Sequence, residues 1–380
     1  MTAERADVVV IGAGVMGLSI ATHLAQRGIT PLVLERNRIC TGTTGQSGGV
    51  VRQLYTNPRM AMLASKSLDV FADWRDHYLG DPGFVPCGVM FPLGPDSEAK
   101  IRPKIEEQQA LGIKTSLVSP DEATRIDHRF TFDDCSAVGY ESTAGGADPV
   151  LTTFAFAETA RSLGVEIREG VVVNNITVGA NGVSGVETGD GLVAADVVIN
   201  AAGAWGVDLL AHHGHTLPIR FTRHPMALFR RASELAGTHP IVLDIHTDSY
   251  FISRTDLTLV GKLGTMPHDD GVERDSYNRG VSNEEITRYQ KAAANRMPGL
   301  DTSAIWGGWA GIYDESIDAH PIIDAVPGMD GVYCALGMSG NCFKISPLIG
   351  KMLADRIIDG PAATSDLDLF RFGRFADGTQ

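Results

Sequence analysis

Three glycines at fixed spacing, Gly12, Gly14 and Gly17, and an acid further on, Glu35, are the residues of this chain most plainly suited to chemistry. Together they suit the capture of a nucleotide diphosphate. Gly12 permits a tight turn, Gly14 lets a pyrophosphate approach the backbone, and Gly17 lets a helix pack closely on a strand. The free amides and positive dipole end of such a helix attract phosphate oxygens. Glu35 can accept hydrogen bonds from an adenosine ribose. An ordinary glycine-rich strand-to-helix turn shows the same glycines, so the flanking elements decide the reading.

Those elements have the required order. Residues 7–11 read as a buried strand, a helix follows the glycines to about Gly28, and 31–34 form a second strand ending on Glu35 and Arg36. Val8 to Ala25 carries no formal charge and a hydropathy window could take it for a membrane span. The fingerprint glycines and the two changes of element argue for a buried βαβ unit instead. Glu4 and Asp7 offset Arg5 and no small-residue cleavage site follows, so a secretory signal is not expected and the chain reads as soluble and cytoplasmic.

Further along, 41–49 is a loop of small residues, 59–78 has helical apolar spacing, and 84–93 reads as a strand. Ser119-Pro120-Asp121-Glu122 and Ser282-Asn283-Glu284-Glu285 are helix starts with capping-box spacing. Residues 171–178, 183–187 and 192–193 form a meander whose turns are Ala180-Asn181-Gly182 and Asp190-Gly191. Strand 196–202 runs into Gly203-Ala204-Trp205, residues 217–262 alternate as β segments, and strand 331–336 precedes Gly337-Met338-Ser339-Gly340 and a helix ending near Gly360. This pattern predicts two interleaved domains, with the dinucleotide domain assembled from three separated pieces.

Composition narrows the function. With 32 basic and 46 acidic residues the net charge is −14 over 380 residues, which disfavours nucleic acid as a partner. Five cysteines without a C-x-x-C pair give neither a disulfide framework nor a zinc ribbon and fit a reducing compartment. His212, His213 and His215 are too close in sequence to converge on one ion, so no metal is expected. Asp318 and His320 read as structural residues, and no nucleophile triad is present.

Four segments carry a family resemblance: Val10-Ile11-Gly12-Ala13-Gly14-Val15-Met16-Gly17, Asn200-Ala201-Ala202-Gly203-Ala204-Trp205, Asp318-Ala319-His320-Pro321-Ile322-Ile323-Asp324, and Gly337-Met338-Ser339-Gly340-Asn341-Cys342-Phe343-Lys344. Over nearly its whole length the chain resembles the FAD-dependent amine and amino-acid oxidases of the D-amino-acid-oxidase superfamily, which includes sarcosine oxidases, glycine oxidases and flavin subunits of amino-acid dehydrogenases. The resemblance implies an α/β chain with a Rossmann-like FAD-binding domain (1–80, 141–216 and 318–380). It interleaves with an α+β substrate domain (81–140 and 217–317) on a mostly antiparallel sheet.

It also implies roles. Gly12, Gly14, Val15, Met16, Gly17, Glu35 and Arg36 would hold the adenosine and pyrophosphate. Thr43, Thr44 and Ser47 would line the flavin side of the loop, and Val173 would meet the adenine. Ala202, Gly203 and Trp205 would close over the cofactor, and Gly337, Met338, Gly340, Asn341, Cys342, Phe343 and Lys344 would approach the isoalloxazine. Arg52 and Lys344 would clamp a substrate carboxylate; their ordinary alternatives are an ion-paired arginine and a helix-start lysine. Lys262 would stabilise superoxide over the flavin, or else is an edge-strand lysine. Tyr250 is a pocket wall or a core tyrosine. Cysteine and histidine attachment points for a covalent flavin are lacking, so noncovalent FAD is expected, and Met266 and Asn341 stand where monomeric sarcosine oxidases have histidines. The implied activity is oxidation of the C–N bond of an amino or secondary amino acid, with molecular oxygen regenerating the flavin and giving hydrogen peroxide. The alternative is a dehydrogenase passing electrons to a quinone or a partner subunit.

Overall fold

Val8–Ile11 is the central thread of a six-stranded sheet. In a computed structural model, which describes residues 4–180 and 182–375, its neighbours are Leu32–Glu35 and Val197–Asn200, both parallel to it. Glu166–Glu169 and Val332–Leu336 extend the sheet in parallel on either side, and Ile322–Ala325 closes one edge antiparallel. Strand alternation sends Val8 and Val10 to one face and Val9 and Ile11 to the other. Helices Val15–Gln26, Pro149–Ser162 and Ser346–Asp359 pack with the first pair; the meander Val173–Gly179, Gly182–Thr188 and Gly191–Ala194 packs with the second. Asn181, in one of the expected hairpin turns, lies outside the described residues.

The second large sheet has eight strands, in the order Ala304–Ser316, Ile219–Arg230, Leu257–Lys262, Ser249–Arg254, Ile241–Asp244, Val89–Leu93, Ala137–Glu141, Ser116–Val118. Every pairing is antiparallel except that of Ile241–Asp244 with Val89–Leu93. One face, with Phe229, Phe251 and Val260, packs with Tyr289 and Ala293 of helix Asn283–Arg296. The other, with Met226, Tyr250 and Leu259, joins the core shared with helices Val15–Gln26, Pro149–Ser162 and Ser346–Asp359. A short pairing of Val50–Val51 with Gly145–Gly146 stitches the two regions together.

Some expected elements are shorter than their apolar patterns. The helix over 59–78 is Pro58–Ala72 followed by one 3₁₀ turn, and the strand over 84–93 begins only at Val89. Both capping boxes form as their spacing predicts. The long strand Ala304–Ser316 has no clean alternation to announce it, because Gly307, Gly308 and Gly311 interrupt its side-chain pattern. Among the described residues no helix is long and apolar enough to cross a membrane.

Candidate active site

The fingerprint turn behaves as its glycines require. Gly12 has φ +102°, and a side chain there would lie 2.6 Å from the Ala201 carbonyl oxygen. Gly14 caps helix Val15–Gln26 without a side-chain cap and no acid occupies the first turn, so its leading amides face the cavity beside them. The Val15 amide donates to Thr44 Oγ1 at 3.3 Å. At the end of the next strand the Glu35 carboxylate accepts the amides of Ala13 (2.9 Å) and Asn37 (2.8 Å), which hold it at the cavity wall.

The cavity has a volume of about 780 Å³, toward the upper end for a ligand site. It runs from Glu35, Arg36 and Val173 past Gly12, Gly14, Val15, Met16, Thr43, Thr44 and Ser47 to Ala202, Gly203, Trp205, Met338, Gly340, Cys342 and Phe343. Most residues expected at the cofactor therefore share one elongated space. Gly17, Gly337 and Asn341 are not part of its lining. Gly17 acts through packing: a Cβ there would lie 2.0 Å from the Gly12 carbonyl oxygen.

At the far end, the glycine loop depends on the strand beside it. Gly337, Ser339 and Gly340 all have positive φ. Asp314 Oδ2 accepts the Gly337 amide at 3.0 Å and its backbone oxygen accepts the Ser339 amide at 3.0 Å. Burial raises the Asp314 carboxyl to about 6. Tyr313 lies against Gly340, where a side chain would come within 2.3 Å of its ring, and stacks on His224 at 3.8 Å.

Several cavity residues carry no motif that sequence reasoning could use. Gln46 Oε1 accepts from Tyr277 Oη (3.3 Å) and the Ile312 amide (3.2 Å), and its backbone oxygen accepts Trp309 Nε1 (3.1 Å). Asp275 accepts Trp205 Nε1 at 2.7 Å and lies 3.7 Å from Arg36, whose guanidinium covers the Trp205 ring at 4.3 Å. Asp275, Tyr277 and Arg279 reach the cavity from a segment between strand and helix that has no local signature.

The two expected carboxylate anchors meet just outside the cavity lining. Lys344 Nζ, on a residue only 4 % exposed, donates to Tyr55 Oη at 2.9 Å and to the Asn341 carbonyl at 2.8 Å. The Arg52 guanidinium lies over the Tyr55 ring at 4.1 Å and donates to the Leu54 carbonyl. Neither cation has an ion-pair partner among the described residues. Burial lowers the Lys344 amine from its usual value, and nearby Arg52 pushes it the same way. Tyr55, the hinge of this cluster, was not anticipated from sequence.

Lys262 lies apart from the cavity, and Tyr250 is a core tyrosine, one of its two expected places. Lys262 pairs with Asp248, and neither Lys262 nor Tyr250 lines the cavity. Opposite Ser249, Lys262 falls on the sheet face of Val260, whereas Tyr250 falls on the other face above Gly261. The period-two pleat puts the two side chains on opposite faces of the sheet. His213 and His215 contact Asn175 and Phe372 respectively. The acids Asp269 and Glu285, near His268, are bridged by the buried Arg223 guanidinium at 2.7 and 2.6 Å.

A largely parallel sheet with a glycine turn, an acid at the next strand end and a long cavity reaching a second, mostly antiparallel sheet is the geometry of a dinucleotide-binding protein. The chain belongs to the FAD dependent oxidoreductase (DAO) family, whose model matches residues 7–356. FAD is the family's cofactor, and the open helix N-terminus, the two glycine cradles and the cavity fit it. The chain is 27% identical to sarcosine oxidase subunit beta from Arthrobacter sp, over 98% of this chain and 92% of that protein. It is 27% identical to 4-methylaminobutanoate oxidase (formaldehyde-forming) from Paenarthrobacter nicotinovorans, over 96% of this chain but 45% of that protein. L-proline dehydrogenase from P. horikoshii superposes with a TM-score of 0.91 at 26% identity, covering 99% of each chain. The protein is thus an FAD-dependent oxidoreductase.

Proposed function

We propose that the protein oxidises the C–N bond of an amino acid or of a secondary, N-alkyl or cyclic, amino acid to an imine. The observation that carries this reading is the Arg52–Tyr55–Lys344 cluster, two neighbouring cations without a carboxylate partner of their own. A substrate carboxylate supplies the missing charge: Arg52 can meet it with a two-pronged fork and Lys344 with a point charge. Bound FAD would supply the two-electron, hydride-accepting chemistry. The chain's own contribution is positioning, since fixing the carboxylate directs the α C–H toward the cavity. Burial brings the hydroxyl of Tyr313, on the cavity wall, to about 12, so it stays neutral near a substrate amine that must itself be neutral to react. The test is anaerobic mixing of the yellow holoprotein with N-methyl amino acids, proline derivatives and D-amino acids. Bleaching by at least one of these classes is expected; no bleaching by any would remove the substrate class.

A different observation bears on the acceptor. A fixed cation beside the flavin favours oxygen because it stabilises superoxide, but Lys262 is already paired with Asp248 and lies off the cavity. This supports a dehydrogenase that hands electrons to a quinone or a partner subunit. Stopped-flow reoxidation of the reduced protein in air-saturated buffer should be slow and should change less than about threefold in Lys262→Met, because no transition-state charge contact is lost. A fall of two orders of magnitude in that variant would restore the oxidase reading.

A further inference from the structure

Beneath the anion grip lies a buried acid that the proposed reaction does not use. Glu141, at the end of strand Ala137–Glu141, is fully buried. Its Oε2 accepts the Gln53 amide at 2.9 Å and its Oε1 accepts the Thr115 hydroxyl at 3.1 Å. The Leu54 amide also hydrogen-bonds to it, and Arg52 is the charged group whose field acts on it. From helix Pro95–Ala110, Gln108 Nε2 adds a second tie by donating to the Tyr55 carbonyl at 2.6 Å. Residues 53–55 are thus held from below by the substrate-side sheet and its helix, while Arg52 and Tyr55 project from that same stretch toward Lys344.

We propose that Glu141 is a positioning residue for the carboxylate grip, holding the backbone that aims Arg52 and Tyr55, and that its charge state sets how strongly Arg52 attracts an anion. This rests on the reading of Arg52 and Lys344 as carboxylate anchors. Burial raises the Glu141 carboxyl to about 7, against the opposing pull of the Gln53 amide and of Arg52. The acid is neutral below that pH and anionic above it. The sign follows: as pH rises through about 7, a new negative charge beneath Arg52 competes with a bound carboxylate, so anion affinity falls. Lys344, lowered by burial, loses charge in the same direction, so a variant is needed to separate the two.

The probe is acetate, titrated into the FAD-loaded protein and read from perturbation of the flavin absorbance. Between about pH 6 and 8.5 acetate stays ionised. Over that range wild-type affinity should fall about tenfold more than that of Glu141→Gln, the size expected of one added charge nearby at an effective dielectric near 20. At the acid end the two proteins should bind acetate equally, because glutamine mimics the neutral acid and keeps a carbonyl acceptor. Equal slopes, with flavin content and melting temperature unchanged, would overturn the inference. Should Glu141→Gln fail to fold, infrared difference spectra of the wild type decide: acetate added at about pH 8 should bring up a protonated-carboxyl band, and no such band overturns the inference. Acetate binding that survives both Arg52→Ala and Lys344→Met would instead sink the grip reading itself, a distinct outcome.

Discussion

Replacing Lys344 by methionine lowers kcat/KM for the amino-acid substrate by about 30- to 1,000-fold, with flavin content unchanged. The estimate takes about 2–4 kcal/mol for removing one partner of a buried, hydrogen-bonded charge contact, at about 1.4 kcal/mol per factor of ten. Methionine keeps the length and apolar stem of the side chain but removes the donor held by Tyr55 at 2.9 Å and Asn341 at 2.8 Å. On the proposed carboxylate grip, Arg52 would then hold the carboxylate alone, and its stacking on Tyr55 gives it one fixed direction. KM should rise more than kcat falls, because the carboxylate contact is made in both ground and transition states. Steady-state kinetics with any substrate that bleaches the wild type check this. An unchanged KM with an unchanged kcat would place the carboxylate elsewhere.

Gly17→Ala weakens FAD binding by tenfold or more and lowers the melting temperature. Helix propensity argues the opposite, since alanine inside a helix is favoured over glycine by about 1 kcal/mol. Packing outweighs it. The new methyl would lie 2.0 Å from the Gly12 carbonyl oxygen, a backbone atom of the same phosphate-facing turn, and 3.5 Å from the Ala201 Cβ. Relief requires moving the helix off the strand, an overpacking cost of about 1–3 kcal/mol, and the motion displaces the amides that face the cavity. Gly17 does not line the cavity, so loss of cofactor would come through geometry alone. Equilibrium dialysis of FAD and thermal melting read the two effects. A variant that melts higher and retains FAD would show that the turn can yield.

The nucleotide end of this protein is legible in its sequence because local rules govern it. Gly12, Gly14, Gly17 and Glu35 lie within one βαβ unit, where turn sterics, helix-end amides and strand alternation act over short chain distances. The capping boxes at Ser119 and Ser282 are legible for the same reason. The pairing of Arg52 with Lys344 is not written in any local pattern; family resemblance suggested it, and their meeting at Tyr55 depends on helix Ser346–Asp359 packing back across the first helix. Gln46, Asp275 and Asp314 reach the cavity from loops and a glycine-rich strand whose partners lie far along the chain, so only tertiary packing assigns them. Lys262 shows the converse. Family resemblance suggested a place over the flavin, but a strand's side chains alternate between faces, and the register Tyr250↔Gly261 leaves Lys262 with Asp248 instead. Chemistry that depends on neighbours in the chain was readable from residue order; chemistry that depends on which face meets which, across hundreds of residues, was settled only when the two sheets packed.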